Sequence, residues 1–284
     1  SCIKAIKKIG HKVIKFDPKF SSIFNLKKIE TDVIFNALHG KGGEDGKIQS
    51  YFEFFKKKYT HSGVLSSIIA MNKHFSKQLF IKNNIRTPNY LFLDKLDLNI
   101  SYLKREIFKN KMKFPIVIKP NDEGSSIGVK ICSNVKILYK VFKSLKKKYN
   151  SLILETYIPG QEIQVALMGG KAIGAIELRP KRKFYDYKAK YKKSSKTEHI
   201  MPAEIPKKKY KEVLRLSQKA NKILGCKGIV RCDFRFNKGK FFLLEINTQP
   251  GLTDLSLVPE IAKYQNISFL KLVNWMIKDA SINR

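Results

Sequence analysis

Hydrophobic positions along this chain follow two rhythms, and the rhythms alternate. Apolar residues recur at helical spacing over 2–9, 46–57, 72–83, 134–149, 207–224 and about 268–279. Between them lie short apolar blocks and period-two alternation, the marks of strands. In the first 70 residues, "KVIKF" (12–16) and the nearly continuous "DVIFNAL" (32–38) predict strands, the second running into "HGKGGEDG". A buried parallel strand that ends in a Gly-rich loop is where open α/β sheets place ligands. Further on, "PIVIK" (115–119), residues 128–132 and "SLILETYIPG" (151–160) predict strands. "EIQVALMGGKAIGAIEL" predicts a hairpin that turns at Gly169-Gly170. A polar, Lys- and Tyr-rich stretch over 180–202 follows, and an insertion of that length points to a lid. "RCDFRFNKGKFFLLEINTQPGLT" (231–253) then predicts two strands about a turn at Asn237-Lys238-Gly239. The class is α/β (α+β), without internal repeats or low-complexity segments.

Composition narrows this picture. A chain of 284 residues has room for two or three small domains, and 43% hydrophobic content with 19 Phe supports packed cores. No apolar run reaches the roughly 18 residues of a membrane span. The start, "SCIKAIKKIGHKVIKFD", lacks the apolar core of a signal peptide. Cys2, Cys132, Cys226 and Cys232 make no CxxC pair, so neither a zinc site nor a disulfide framework is predicted, and a reduced, cytoplasmic setting is expected. The net charge of +34 invites a nucleic-acid role. Its distribution argues otherwise: Lys is spread over every predicted element, and the clusters at 56–58, 146–148 and 207–209 are short. Solvated basic surface is the expectation, with no nucleic acid and no membrane as partner.

Four segments carry candidate chemistry. With a three-residue loop at 237–239, Asp233 lies opposite Leu243 and Arg231 opposite Glu245, so that Asp233, Glu245 and Asn247 share a face. Two carboxylates and an amide oxygen are hard ligands suited to Mg²⁺. A two-residue loop would put Asp233 on the other face, and a surface salt bridge between Arg231 and Glu245 is an equal reading of these residues alone. In "KPNDEGSSIG" (119–128), Lys119 ends a strand before a loop whose N–H groups can surround phosphate oxygens. It matches neither the Walker A nor the GxGxxG pattern, and an ordinary hairpin loop is the alternative. "LETYIPGQE" (154–162) can present backbone groups to an adenine edge and a carboxylate to ribose hydroxyls, or can simply connect domains. "FYDYKAKY" (184–191) is either a lid over phosphates or a solvated basic loop.

Taken together, "FNALHGKGGEDGKIQ", "GVLSSIIAMNK", "VIKPNDEGSSIG", "FYDYKAKY", "GCKGIVRCDF" and "LLEINTQPGLTDLSLVP" resemble the successive motifs of the D-alanine–D-alanine ligases, which are ATP-grasp enzymes. Their order and spacing hold from about residue 30 to the C-terminus. "LLEINTQPG" and the EGSS loop alone mark the wider ATP-grasp group; "ALHGKGGEDG" and the "YKAKY…SLVP" combination are more specific.

The resemblance implies ATP-dependent joining of two D-alanines through an acyl phosphate, for peptidoglycan. Asp233, Glu245 and Asn247 would hold two Mg²⁺ or Mn²⁺ ions. Lys73, Lys119 and the lid residue Lys190 would contact nucleotide phosphates, and Glu155, Tyr157, Ile158 and Glu162 would line the adenosine pocket. Ser125 and Tyr191 would close the lid, and a retained Tyr191 favours the dipeptide over D-alanyl-D-lactate. Arg231 and the Gly251 N–H would stabilise the tetrahedral oxyanion, Ser256 and Leu257 would hold the second D-alanine's carboxylate, and His39 would lie near it. Homodimers are typical of the family. The implied architecture is an incomplete Rossmann-like N-terminal domain (1–72), then ATP-grasp subdomains over 73–160 and 161–284, the latter with the lid 180–202 and the metal site. The family's opening strand and Gly-rich segment, with a Glu that helps bind the first D-alanine, precede the point where this sequence starts. A fragment, a late start or a degenerate form is therefore expected. The competing readings are another ATP-grasp carboxylate–amine ligase, a truncated inactive paralogue that binds nucleotide, and a basic nucleic-acid-binding protein.

Overall fold

In the computed structural model, residues 1–95, 97–180, 197–253 and 256–284 are described. Two antiparallel sheets dominate. The smaller has strand order β1-β4-β2-β3, built from Tyr90–Leu93 (β1), Ile116–Pro120 (β2), Lys130–Cys132 (β3) and Leu152–Thr156 (β4). The larger runs β7-β6-β5-β8-β9, from Gln161–Met168 (β5), Lys171–Arg179 (β6), Glu198–Ile200 (β7), Ile229–Asn237 (β8) and Lys240–Asn247 (β9).

The helices form where amphipathic spacing and caps coincide. Val135–Leu145 is capped by Asn134, whose side chain accepts the Ile137 N–H, and it buries Leu138, Phe142 and Leu145. Together with Ile100–Lys109 it covers the small sheet's core of Ile116, Ile118, Leu152 and Leu154. Lys207–Leu224 lays Val213, Ala220 and Leu224 against one face of the large sheet and stops at Gly225, whose φ of 65° suits a residue without Cβ. On that face Val165, Phe234 and Leu243 are wholly buried, each contributing about 2 kcal/mol. The opposite face is covered only in part. Helices Leu257–Tyr264 and Phe269–Asp279 pack on Ala166, Ile176 and Leu178, and the remainder of the face lines a cleft. No helix among the described residues is long and apolar enough to cross a membrane.

Several expectations are corrected. Residues 12–16 form no strand, and Ile14 is exposed. Residues 32–38 make a single parallel bridge, Ile34 to Tyr59, instead of a buried sheet strand. Their apolar run has another cause: Ile34 and Leu38 pack on a small cluster of Leu26, Ile48, Phe52 and Tyr59. The stretch 180–202 is not irregular throughout, because Glu198–Ile200 pairs with β6 at the sheet edge. Helices Val64–Met71, Ile100–Lys109 and Leu257–Tyr264 add to the expected ones; the first is hydrophobic around most of its surface and lacks one clean apolar stripe.

Candidate active site

The hairpin of β8 and β9 decides the site. Its turn is Lys238-Gly239 at φ 46° and 73°, and Asn237 pairs directly with Lys240. The expected three-residue loop is therefore wrong. A regular ladder would now set Leu244 opposite Asp233, but a β-bulge intervenes: Phe234 pairs with Leu243 and Asp233 with Glu245. Asp233 faces Glu245 directly, and Arg231 faces Asn247. The shared face survives, reached by another route. The bulge also turns two consecutive residues, Leu244 and Glu245, toward the same cavity.

Arg231 donates to both oxygens of Asp233, at 2.6 and 2.7 Å. The alternative surface pair between Arg231 and Glu245 is thus replaced by a bidentate pair along one strand. Glu245 lies 3.5 Å from the Lys73 ammonium. Asn247 accepts the Gln249 N–H at 2.8 Å, which fixes its amide. Among the described residues no group of three or more His, Cys, Asp or Glu could hold a metal. A divalent ion would rest on two carboxylates and the Asn247 oxygen. Three hard oxygen donors, the carboxylates at the cationic ends of Arg231 and Lys73 and the amide oxygen beside the Gln249 N–H, fit Mg²⁺ or Mn²⁺.

Two cavities meet at this hairpin, and Lys73, Glu123 and Glu245 line both. The first, of about 240 Å³, also takes in His39, Glu44, Ser125, Arg231, Asn247, Gly251, Thr253, Ser256 and Leu257. His39 is half exposed with Nδ1 3.3 Å from Glu44. Glu44 also accepts the Gly40 N–H at 2.8 Å. Ser125 stands at φ 52° within the 119–128 loop. A Cβ on Gly251 would come within 2.8 Å of the Ser256 Oγ, so a larger residue there would displace that hydroxyl. The Ser256 Oγ itself takes the Thr253 N–H at 3.0 Å, at the N-terminus of Leu257–Tyr264. Such an end favours a carboxylate.

The second cavity lies between the sheets. Lys119, Glu155, Tyr157, Ile158, Glu162 and Asp233 line it, with Val117, Val129 and Leu244 as apolar walls. An apolar slot beside fixed lysines suits a base and its phosphates. Arg235 binds its rim together, donating to the Ile158 carbonyl at 3.0 Å, Glu162 at 3.3 Å and the Tyr157 hydroxyl at 3.3 Å. Glu155 is 2% exposed and sits between Lys77 at 2.8 Å and Lys119 at 2.9 Å. Burial pushes its pKa up, but Lys119 and Lys77 outweigh that and hold it ionised. Lys73 opens the helix Lys73–Lys82, which Asn72 caps by accepting the Phe75 N–H.

The structure therefore gathers Lys73, Lys119, Ser125, Glu155, Tyr157, Ile158, Glu162, Arg231, Asp233, Glu245, Asn247, Gly251, Ser256, Leu257 and His39 about two joined cavities. Lys190 and Tyr191 lie outside the described residues. Sequence reasoning missed Lys77, Glu44, Leu244 and Arg235. Two had a signal: Lys77 is one helical turn beyond Lys73, and Arg235 is two residues along the strand from Asp233.

Comparison with known proteins agrees with this geometry. The families described as D-ala D-ala ligase N-terminus and C-terminus match residues 7–62 and 79–278. A D-alanine–D-alanine ligase of Pelagibacter ubique is 51% identical over 99% of the chain and 91% of its own length. One from Wolbachia pipientis wMel is 44% identical over 98% and 86%. Among solved structures, a Bacillus anthracis D-alanine–D-alanine ligase complexed with ATP has a TM-score of 0.83 at 32% identity, over 98% of this chain and 88% of that one. With its hairpin of paired carboxylates at the edge of the larger sheet, facing the cleft, the chain belongs to the D-alanine–D-alanine ligase family and has the ATP-grasp fold.

Proposed function

We propose that this protein joins two D-alanines into D-alanyl-D-alanine at the expense of ATP, for peptidoglycan. One observation carries the reading: a cavity suited to a nucleotide and one suited to carboxylates share Lys73, Glu123 and Glu245. A γ-phosphate and an amino-acid carboxylate would meet at that junction, which is where an acyl phosphate must form.

In this reading the sheets of 73–160 and 161–284 clasp ATP. Lys73 and Lys119 neutralise its phosphates, the apolar slot takes adenine, and Glu162 meets the ribose. Asp233, Glu245 and Asn247 would hold Mg²⁺ or Mn²⁺, which offsets charge on phosphate oxygens. Arg231, held in orientation by Asp233, and the Gly251 N–H stand beside the carboxylate cavity as oxyanion donors. Ser256 and the helix start at Leu257 would orient the second D-alanine's carboxylate. Ser125, with the lid residues Lys190 and Tyr191, would exclude water from the acyl phosphate. A cytoplasmic location and a homodimer rest on the family resemblance.

The test is phosphate release from ATP and Mg²⁺ with D-alanine, against L-alanine, D-serine and D-lactate. Release that needs D-alanine, with the dipeptide identified by mass, is the expected result. Equal release with another amino acid would move the chain to a different carboxylate–amine ligase.

A further inference from the structure

Lys77 is 0% exposed, yet it carries an ammonium group in the middle of the protein. It lines neither cavity and cannot touch a bound nucleotide. Burying such a charge is costly unless it is paired. Its partners are Glu155 at 2.8 Å, the Thr87 hydroxyl at 2.5 Å and the face of the Tyr90 ring, 5.5 Å from the ammonium to the ring centre. Glu155 in turn reaches Lys119 at 2.9 Å, and Lys119 does line the nucleotide cavity. The three side chains come from three elements: the helix Lys73–Lys82, β4 and β2.

We infer that Lys77 is a positioning residue for nucleotide binding: by sharing the Glu155 carboxylate it leaves the Lys119 ammonium only partly compensated and available to the phosphates. This rests on the ATP-dependent reading of the cleft. Lys77 and Lys119 are positive and Glu155 is negative, so the triad carries one net positive charge. Lys119 is the cationic member that reaches the cleft, and the charge is expressed there. Without Lys77, the single carboxylate of Glu155 would be matched by Lys119 alone. The pair would be neutral, and Lys119, already 2.9 Å from Glu155, would bring no net charge to the cleft in a poorly screened interior. Burial lowers the Lys77 pKa to about 8 against the opposing pull of Glu155, so the ammonium is retained at neutral pH.

The experiment is a double-mutant cycle read by calorimetry, with the β,γ-methylene analogue of ATP and Mg²⁺ as probe. Lys77→Met is expected to weaken binding about tenfold or more, the size of one lost charge interaction in a partly dry site. The KM for ATP should rise in parallel, while kcat changes little. In a Glu155→Gln background the same change should leave the dissociation constant within about twofold, because no carboxylate remains to compensate. If Lys77→Met alone fails to fold, the comparison of Glu155→Gln with the double variant still decides, since the double removes both of the most deeply buried charges and leaves only Lys119, which lines the cavity. A double variant binding tenfold more weakly than Glu155→Gln overturns the inference. So does a folded Lys77→Met that loses thermal stability but binds like the wild type. Failure of the wild type to bind the analogue would overturn the ATP reading itself, and is thereby distinct from an additive cycle on a wild type that binds.

Discussion

At the scale of single residues, the site is a set of charges that neighbours hold in place. Arg231 and Asp233 fix each other through two hydrogen bonds, so the guanidinium and the carboxylate share one geometry. Away from the cleft, His61 shows what burial does to a group with no ion-pair partner among the described residues. It is 2% exposed, stands at φ 71°, and lies with its ring 6.3 Å from that of Phe35. Desolvation first, and the nearby charges of His39 and Arg284 second, lower its pKa from 6.5 to about 3. The sign follows. Between those values the unfolded chain binds a proton that the folded chain refuses, so stability falls as the pH drops below about 6.5 and the loss is complete near 3. We expect His61 to contribute about 1 kcal/mol per pH unit to that slope, from the free-energy equivalent of a pKa shift. His61→Asn, which tolerates positive φ, should remove that part of it. Urea unfolding of both proteins from pH 7 to 4 checks this; identical slopes would refute it.

At the scale of elements, the bulge in β9 matters most. The burial pattern of Phe241, Leu243 and Ile246 steps by two and then by three, and the extra residue is Leu244. The step was present in "FFLLEIN" as a misplaced apolar residue, but a longer turn explains the same letters equally well. Only the ladder separates the two, because a longer turn and a bulge each shift the register by one residue, in opposite directions, and so put the same side chains on the shared face while pairing Asp233 with different partners. With the bulge in place, Leu244 lines the nucleotide cavity while Glu245 stays opposite Asp233. Leu244→Ala should therefore raise the KM for ATP about five- to tenfold, the equivalent of roughly 1–1.5 kcal/mol of lost apolar contact. The KM for D-alanine should change less than twofold, as steady-state kinetics with each substrate varied would reveal. Equal effects on both substrates would mean that the bulge itself had shifted.

At the scale of the whole molecule, the N-terminal segment is tied to the loop that follows β9. Asn36 is 3% exposed; it donates to the Gln249 side chain at 2.7 Å and to the Gly43 carbonyl at 3.2 Å, and accepts the Leu38 N–H at 3.1 Å. Gln249 also donates to the Leu38 carbonyl. Asn36→Ala should lower stability by about 2–3 kcal/mol, because several buried polar groups lose partners together. A fall in Tm of about 5 °C or more is expected, and calorimetric melting would expose a smaller one. The class of the fold, the glycine turns, most of the long amphipathic helices and, through the motifs, the family are legible in the order of residues alone. Each of these rests on local periodicity or on residues close together in the chain. Tertiary structure decided the rest. The apolar run at 32–38 became a packed segment with one bridge because its neighbours offered no ladder to join. Lys77 became part of a nucleotide cleft that it does not touch, because strands 40 and more residues away delivered Glu155 and Lys119 to it. Charges pair by distance in space, and a chain states that distance only once it has folded.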